Sequence, residues 1–378
     1  MKTFNKPARD SDLKNYISKQ LTKKGWEKSC ENPLLDKYNK NKEFMYGFPY
    51  SSSSKIRVKE LLKGKHYNTD FVKFTYNTYK NILANSSIFK YNLLFLKKSQ
   101  GSQGKHVFPV KCFEDVAKIM ETKYKNNDQI FILEKGIDNP LLYNNKKFDM
   151  RIYLLFTREN NSYKSYLYQE WFIRTSSSIY KPNNTSLKNM LTNTSFQGNK
   201  SANTFVYSKI KNFNTNDKDK MTRNIYYCLD SFCSIWKAYL KSANNKYFGE
   251  NKTTGFQYNL FGIDIIMDSE LKPYVIEINA TPLFGIRSSA AKVAALKKNM
   301  WKDICSNFID SFAETNTINP KSRFIEIGEV KSSIEVAFNI VDKKDDDLIS
   351  EKDINHKENI SKIIPQKANW KHVFINPF

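Results

Sequence analysis

The chain is short of the residues that build the commonest small metal and redox sites. It has four histidines, His66, His106, His356 and His372, too few and too scattered for a His-rich metal centre or a Ser-His-Asp triad. Its cysteines, Cys30, Cys112, Cys228, Cys233 and Cys305, are odd in number, and no two have CxxC or zinc-knuckle spacing. A disulfide scaffold and a structural zinc site are therefore not supported. No stretch approaches the roughly 18 apolar residues that span a bilayer, so no membrane partner is expected. Met1 to Asp12 is polar and lacks a signal-peptide core. No repeat of fixed period is present. The simplest expectation is an intracellular, soluble, reduced protein.

What is present bounds the fold class. The 378 residues are 40% apolar and 14% aromatic, with 27 Phe and 22 Tyr, enough to bury a sizeable core. That length fits one large domain or two to three packed lobes. Lysine and arginine number 61 against 38 acidic residues, a net charge of +23. Such a surplus suits an anionic partner: nucleic acid, a nucleotide, a membrane surface or an acidic protein. Lys and Asn are abundant throughout, so part of the surplus reflects composition bias. No helix-turn-helix, RNA-binding sheet motif or zinc finger occurs, which counts against nucleic acid.

Residues 1–92 read as a mixed N-terminal lobe, with a loop at Tyr50-Ser51-Ser52-Ser53-Ser54. Apolar runs predict strands at Tyr91–Leu96, Val107–Val110 and Ile130–Glu134, and spacing predicts a helix over Phe113–Tyr124. Lys147–Phe156 reads as extended, with Tyr163–Ile173 as its antiparallel neighbour. Residues 175–220, rich in Ser, Asn, Thr and Lys, read as a long loop. Met221, Ile225, Phe232, Trp236 and Leu240 recur at helical spacing. Residues 258–268 and 273–280 form a hairpin through Ser269-Glu270-Leu271-Lys272, followed by a helix from Ser288 to about Ala313. Lys343-Lys344-Asp345-Asp346-Asp347 marks an exposed charged appendage.

Three constellations can carry chemistry. In the hairpin, strand alternation sets Asp264 opposite its apolar neighbours Ile263 and Ile265. It also sets Val275, Glu277 and Asn279 on one face, with Ile276 and Ile278 on the other. Two carboxylates and an amide oxygen then converge, a hard-oxygen set that suits Mg²⁺ holding nucleotide phosphates. The alternative is two strands with ordinary polar outer faces. Lys147, Asp149 and Arg151 share one face of a strand whose other face is Phe148, Met150 and Ile152. That arrangement is either an anion clamp or a surface salt-bridge ladder. Lys97-Lys98-Ser99-Gln100-Gly101-Ser102-Gln103-Gly104-Lys105 is either a loop whose backbone N–H groups approach phosphates or a plain flexible turn, and it fits neither a Walker A loop nor GxGxxG. Arg174 is a lone basic residue at a strand end.

Taken in order, these blocks resemble the ATP-grasp ligases, and within them the tubulin–tyrosine ligase-like family. The resemblance is carried by Lys97 with Ser99–Gly104, Asn139-Pro140-Leu141-Leu142, Lys147–Arg151, Arg174-Thr175, Leu191-Thr192-Asn193, Phe261–Asp264 and Ile276–Pro282. It spans residues 93–285, and the last two blocks are the most specific. It implies an α+β ATP-grasp fold in which antiparallel sheets of two lobes enclose a nucleotide cleft. The central lobe would cover 93–135 and the C-terminal lobe 136–318, after the N-terminal lobe and before a charged appendage at 319–378. By the same resemblance, Lys97, Gly101, Gly104, Lys147 and Asp149 serve the nucleotide, and Glu134 and Lys135 lie at the adenine. Thr192 and Asn193 close the site. Asp264, Glu277 and Asn279 hold Mg²⁺. Lys147, Arg151 and Arg174 are the catalytic group, the two arginines facing the γ-phosphate and the acceptor carboxylate. The chain departs from the family pattern at Glu134, where Gln is frequent, at Met190, where His is frequent, and at His106, where Gly is frequent.

The implied activity is ATP-dependent ligation of a free amino acid to a protein carboxylate through an acyl phosphate. The expected acceptor is an acidic tubulin tail, and the setting cytoplasmic, at microtubules. Two other readings remain: a non-enzymatic basic binder of nucleic acid or acidic protein, and an ATP-grasp ligase with a non-tubulin acceptor.

Overall fold

The computed structural model describes residues 55–65, 67–99, 104, 106–159, 162–182, 184–193, 203–248, 256–279, 291–311 and 323–327, with short pieces at 3–4, 19, 22–23, 27–28 and 44–46. The loop expected at Ser51–Ser54, Gly101, the Ala280-Thr281-Pro282 block and the charged run at 343–347 lie outside the described residues. In chain order the elements are β1 (Thr3–Phe4), β2 (Glu27–Lys28), β3 (Phe44–Tyr46), α1 (Lys55–Leu61), β4 (Phe71–Phe74), α2 (Tyr79–Leu83), β5 (Leu94–Lys98), β6 (Val107–Val110), α3 (Phe113–Lys123), β7 (Phe131–Lys135), β8 (Leu142–Tyr143), β9 (Lys146–Glu159), β10 (Ser162–Tyr168), β11 (Phe172–Thr175), α4 (Leu187–Met190), β12 (Thr204–Val206), α5 (Thr215–Phe248), β13 (Phe256–Met267), β14 (Pro273–Asn279), α6 (Ala291–Ile304) and β15 (Phe324–Glu326). A π turn, Cys305–Asp310, continues α6. No helix among the described residues is long and apolar enough to cross a membrane.

The architecture is α+β, with a separate parallel pair, β1-β2, and two main sheets built mostly on antiparallel ladders. The smaller has the order β4-β7-β5-β6. Its strands alternate cleanly. Leu94, Leu96, Phe131 and Leu133 form one face, packed with Val116 and Met120 of α3 and with Tyr79 and Leu83 of α2. The opposite face carries Phe95, Lys97 and Glu134.

The larger sheet is organised around β9. Strand β13 pairs along one edge, with Asp264 opposite Arg151, and β14 pairs beyond it, with Glu277 opposite Asp264. The other edge is shared by β10 and β11. The single antiparallel neighbour read over Tyr163–Ile173 is therefore two strands. From Leu167↔Leu154 to Phe172↔Arg151, one chain advances five residues and the other three. The excess bulges out, with the Gln169 N–H on the Arg323 carbonyl at 2.7 Å.

One face of β9, Phe148, Met150, Ile152, Leu154 and Phe156, is buried under α5. Met221, Ile225, Leu229, Phe232, Trp236 and Leu240 recur on α5 at three- and four-residue spacing. The other face divides. Its far half, Tyr153 and Leu155, is covered by Val293, Leu296, Met300, Trp301 and Ile304 of α6. Its near half, Lys147, Asp149 and Arg151, packs under no apolar cluster among the described residues.

Two further sequence readings are corrected. Residues 175–220 are not one long loop. They hold α4, β12, a 3-10 turn at Tyr207–Lys209 and the first turns of α5. Side-chain hydrogen bonds to backbone, such as those of Asn189, and the stacking of Tyr207 on Trp171 order a stretch whose composition reads as irregular. Strict alternation also fails in β14. Asp264 pairs Glu277 but Ile265 pairs Val275, so Ile276 is an extra residue in a bulge. Val275 points into the core, while Ile276 and Glu277 both border the hollow described next.

Candidate functional site

An open hollow, about 840 Å³ when the solvent space at its mouth is included, is lined from both sheets, by α1 and by the segment that follows α4. The charged half-face of β9 and the Phe95–Lys97–Glu134 face of the small sheet both open onto it.

On the small-sheet side Glu134 is 3% exposed. It forms ion pairs with Lys97 of β5 and with Lys59 of α1, the latter at 3.0 Å. Lys59 also donates to Thr69 Oγ1 at 2.8 Å. Burial alone would raise the Glu134 carboxyl; the two ammonium groups outweigh it and bring the pKa down to about 2. One carboxylate compensates only one of two lysines. Burial, joined by repulsion from Lys97, lowers the Lys59 ammonium despite its pairing with Glu134.

Lys147 is 2% exposed, and its ammonium has no hydrogen bond or ion pair with any described residue. Its Nζ lies 5.0 Å from the centre of the Phe95 ring. Burial, then repulsion from Lys97, pushes its pKa down to about 8, against the pull of Asp149 and Glu134. An ammonium so placed is ready for an anion.

On the large-sheet side the register builds a checkerboard of opposite charges. Arg174 stands opposite Asp149, and Arg151 opposite Asp264. Arg174 donates to both Asp149 oxygens, Nε to Oδ1 at 2.7 Å and an Nη to Oδ2 at 2.6 Å, and reaches Asp264 at 2.9 Å. Arg151 takes Asp264 as a second fork, one arm at 2.9 Å. Burial would raise the Asp264 carboxyl; Arg151 and Arg174 together hold it far below its usual range. Thr192 Oγ1 donates to Asp149 Oδ2 at 2.6 Å. Beside this group, Lys55 Nζ lies 3.4 Å from Glu277 Oε2, and Asn279 Nδ2 lies 3.3 Å from Glu277 Oε1.

Of the residues singled out in the sequence, Lys97, Gly104, Glu134, Lys135, Lys147, Asp149, Thr192, Asn193, Asp264 and Glu277 border the hollow. Arg151, Arg174 and Asn279 stand behind them, bonded to Asp264, Asp149 and Glu277. Gly104 has φ +72°, a backbone region where glycine carries no steric cost. Lys135 pairs with Asp138 at 3.3 Å. The sequence reading did not single out Lys55 and Lys59. They lie four apart on α1, and Lys59 is buried between Val58 and Leu62; a lysine inside an apolar helical pattern was the available signal. Ile276 was missed because a bulge is invisible to period-two reasoning. Among the described residues, no three of His, Cys, Asp and Glu cluster as a ready-made metal site.

A family model described as "Tubulin-tyrosine ligase family" matches residues 29–320. A "Probable alpha-tubulin polyglutamylase Ttll1" of Tetrahymena thermophila is 27% identical over 299 residues, covering 73% of this chain and 66% of its own length. "Tubulin glycylase 3B" of Drosophila melanogaster is 27% identical over 212 residues, 50% of this chain and 26% of its own. "Tubulin monoglutamylase TTLL4" of Homo sapiens is 26% identical over 219 residues, 50% and 17% respectively. The chain thus spans less than two thirds of the length of each. With residues 29–320 of 378 matched, the chain belongs to the tubulin-tyrosine ligase family.

Proposed function

We propose that the chain is an ATP-dependent ligase that joins a free amino acid to a carboxylate of an acidic protein tail, with tubulin as the first candidate acceptor. The observation that carries this reading is the charge balance around the hollow. Eight cationic side chains, Lys55, Lys59, Lys97, Lys98, Lys135, Lys147, Arg151 and Arg174, line the hollow or stand directly behind it, against five carboxylates, Glu134, Asp138, Asp149, Asp264 and Glu277, a surplus of positive charge. A positive surplus suits a polyphosphate anion such as ATP. Phe95, Ile137, Met190, Leu191, Ile266 and Ile276 add apolar wall that suits a purine. The two sheets would then act as the two lobes of an ATP-grasp clasp.

In the reaction, an acceptor carboxylate oxygen attacks the γ-phosphorus, the bond to the bridging oxygen breaks, and ADP leaves. The donor amine then attacks the acyl carbon, inorganic phosphate departs, and the amine proton goes to solvent. Lys147 and Lys97 serve the phosphates. Arg151 and Arg174, locked by two aspartates, offer pre-aimed donors to the transferring group and to a carboxylate. Asp264, Glu277 and Asn279 are the hard-oxygen set for Mg²⁺, and the Lys55 ammonium already sits on Glu277 as a cation. Bound there, the ion would supply charge neutralisation to the phosphates. An acceptor on tubulin would place the protein in the cytoplasm, at microtubules.

The test is mass spectrometry of tubulin incubated with the protein, ATP, Mg²⁺ and mixed amino acids. A mass increment identifies the donor. Glu277→Gln should abolish the increment while circular dichroism stays unchanged. Full incorporation by that variant would sink the metal assignment.

A further inference from the structure

Among the described residues between β11 and β12, one side chain makes three hydrogen bonds to backbone. Asn189, on α4, has no exposed surface. Its Oδ1 accepts from the Lys181 N–H at 2.9 Å, and its Nδ2 donates to the Lys181 carbonyl at 3.0 Å and to the Asn184 carbonyl at 2.7 Å. Both donors and the acceptor of the amide are thus spent on backbone eight and five residues upstream, closing 181–189 into a compact strap. The strap is pinned to the large sheet where the Tyr180 N–H meets the Asn145 carbonyl at 2.8 Å. The next residues, Met190 and Leu191, pack against Leu93 and Phe95 of the small sheet. Thr192 then reaches Asp149. The strap therefore delivers a wall of the hollow that hangs from one sheet and leans on the other.

We propose that Asn189 is a positioning residue for nucleotide binding, whose amide holds the Met190–Asn193 wall against the ligand. This rests on the nucleotide reading of the hollow. The geometry asks for an amide. Aspartate has the same shape but no N–H, and it would set an oxygen against the Lys181 and Asn184 carbonyls. Alanine would leave the Lys181 N–H and both carbonyls without this partner. None of the three bonds touches the hollow, so the effect on ligand is transmitted by the wall.

The experiment pairs Asn189→Asp with the wild type. Isothermal titration calorimetry with ATP and Mg²⁺ should show Kd raised roughly tenfold or more, the scale of two lost hydrogen bonds, at unchanged far-UV circular dichroism. A folded variant that binds ATP as tightly as the wild type overturns the proposal, since a merely structural residue would lower the melting temperature and leave Kd alone. Hydrogen exchange on the wild-type chain gives a second readout that does not depend on the variant folding. Saturating ATP should slow exchange over 181–193. ATP that binds without slowing it overturns the positioning role alone. ATP that does not bind the wild type overturns the nucleotide reading and this role with it.

Discussion

Replacing Lys147 should move stability and ligand affinity in opposite directions. Its ammonium is buried, unpaired among the described residues and held near pKa 8 instead of its ordinary 10.5. A depression of that size corresponds to about 3 kcal/mol of cost for carrying the charge in the folded chain at neutral pH. Lys147→Met keeps the length of the stem and removes the charge. The ligand-free variant should therefore be more stable than the wild type at pH 7, by about 1–3 kcal/mol, or several degrees in melting temperature. In the wild type the same penalty fades as pH rises. Between pH 8 and 10.5 the unfolded chain still binds a proton that the folded chain has released, so stability increases across that window. Nucleotide affinity should behave in reverse. An anion needs the charged lysine, so affinity falls as pH climbs past about 8, and Lys147→Met should weaken ATP by about 1.5–3 kcal/mol, the worth of a charge-assisted contact. Thermal unfolding at pH 7 and 9, with and without ATP and Mg²⁺, reads both effects. A variant that is less stable when empty, or that binds ATP as the wild type does, would refute the reasoning.

Other outcomes follow from the same geometry. Glu134→Gln leaves Lys59 and Lys97 facing each other without their shared carboxylate, and chemical denaturation should show a loss of about 3–5 kcal/mol. In the wild type, the Glu134 contribution is fully present above the ordinary carboxyl pKa of 4.5 and fades as pH falls from there toward about 2, which acid titration of the fold should show. Gly136→Ala would bring a Cβ within 2.6 Å of Leu93 Cγ and 3.0 Å of Phe95 Cε2. The overpacking should cost about 1–3 kcal/mol and weaken ATP binding measured by calorimetry.

Much of the site was legible because it lies on strands whose alternation is clean. Phe148, Met150 and Ile152 had to point one way, so Lys147, Asp149 and Arg151 had to point the other, and both followed. Cross-strand partners were less accessible. That Arg174 meets Asp149 depends on a register no local pattern encodes. Ile276 escaped because a single inserted residue reverses every facing inference beyond it. Lys55 and Lys59 escaped because their carboxylate partners, Glu277 and Glu134, lie 222 and 75 positions downstream. The strap over 181–189 escaped because Asn and Ser read as irregular until their side chains find particular carbonyls.

Strand β9 carries core residues and charged residues on alternate positions of a single ribbon. Inserting or deleting one amino acid between 147 and 155 would swap the two sets, sinking lysine and aspartate beneath α5 and presenting phenylalanine and methionine to the hollow. A frame slip of that kind would disrupt the core and the charged face of the hollow in one event. Unless a bulge like the one at Ile276 absorbs the change, the charged face of this ribbon can drift only by substitution, one side chain at a time, on a backbone whose phase the interior already dictates.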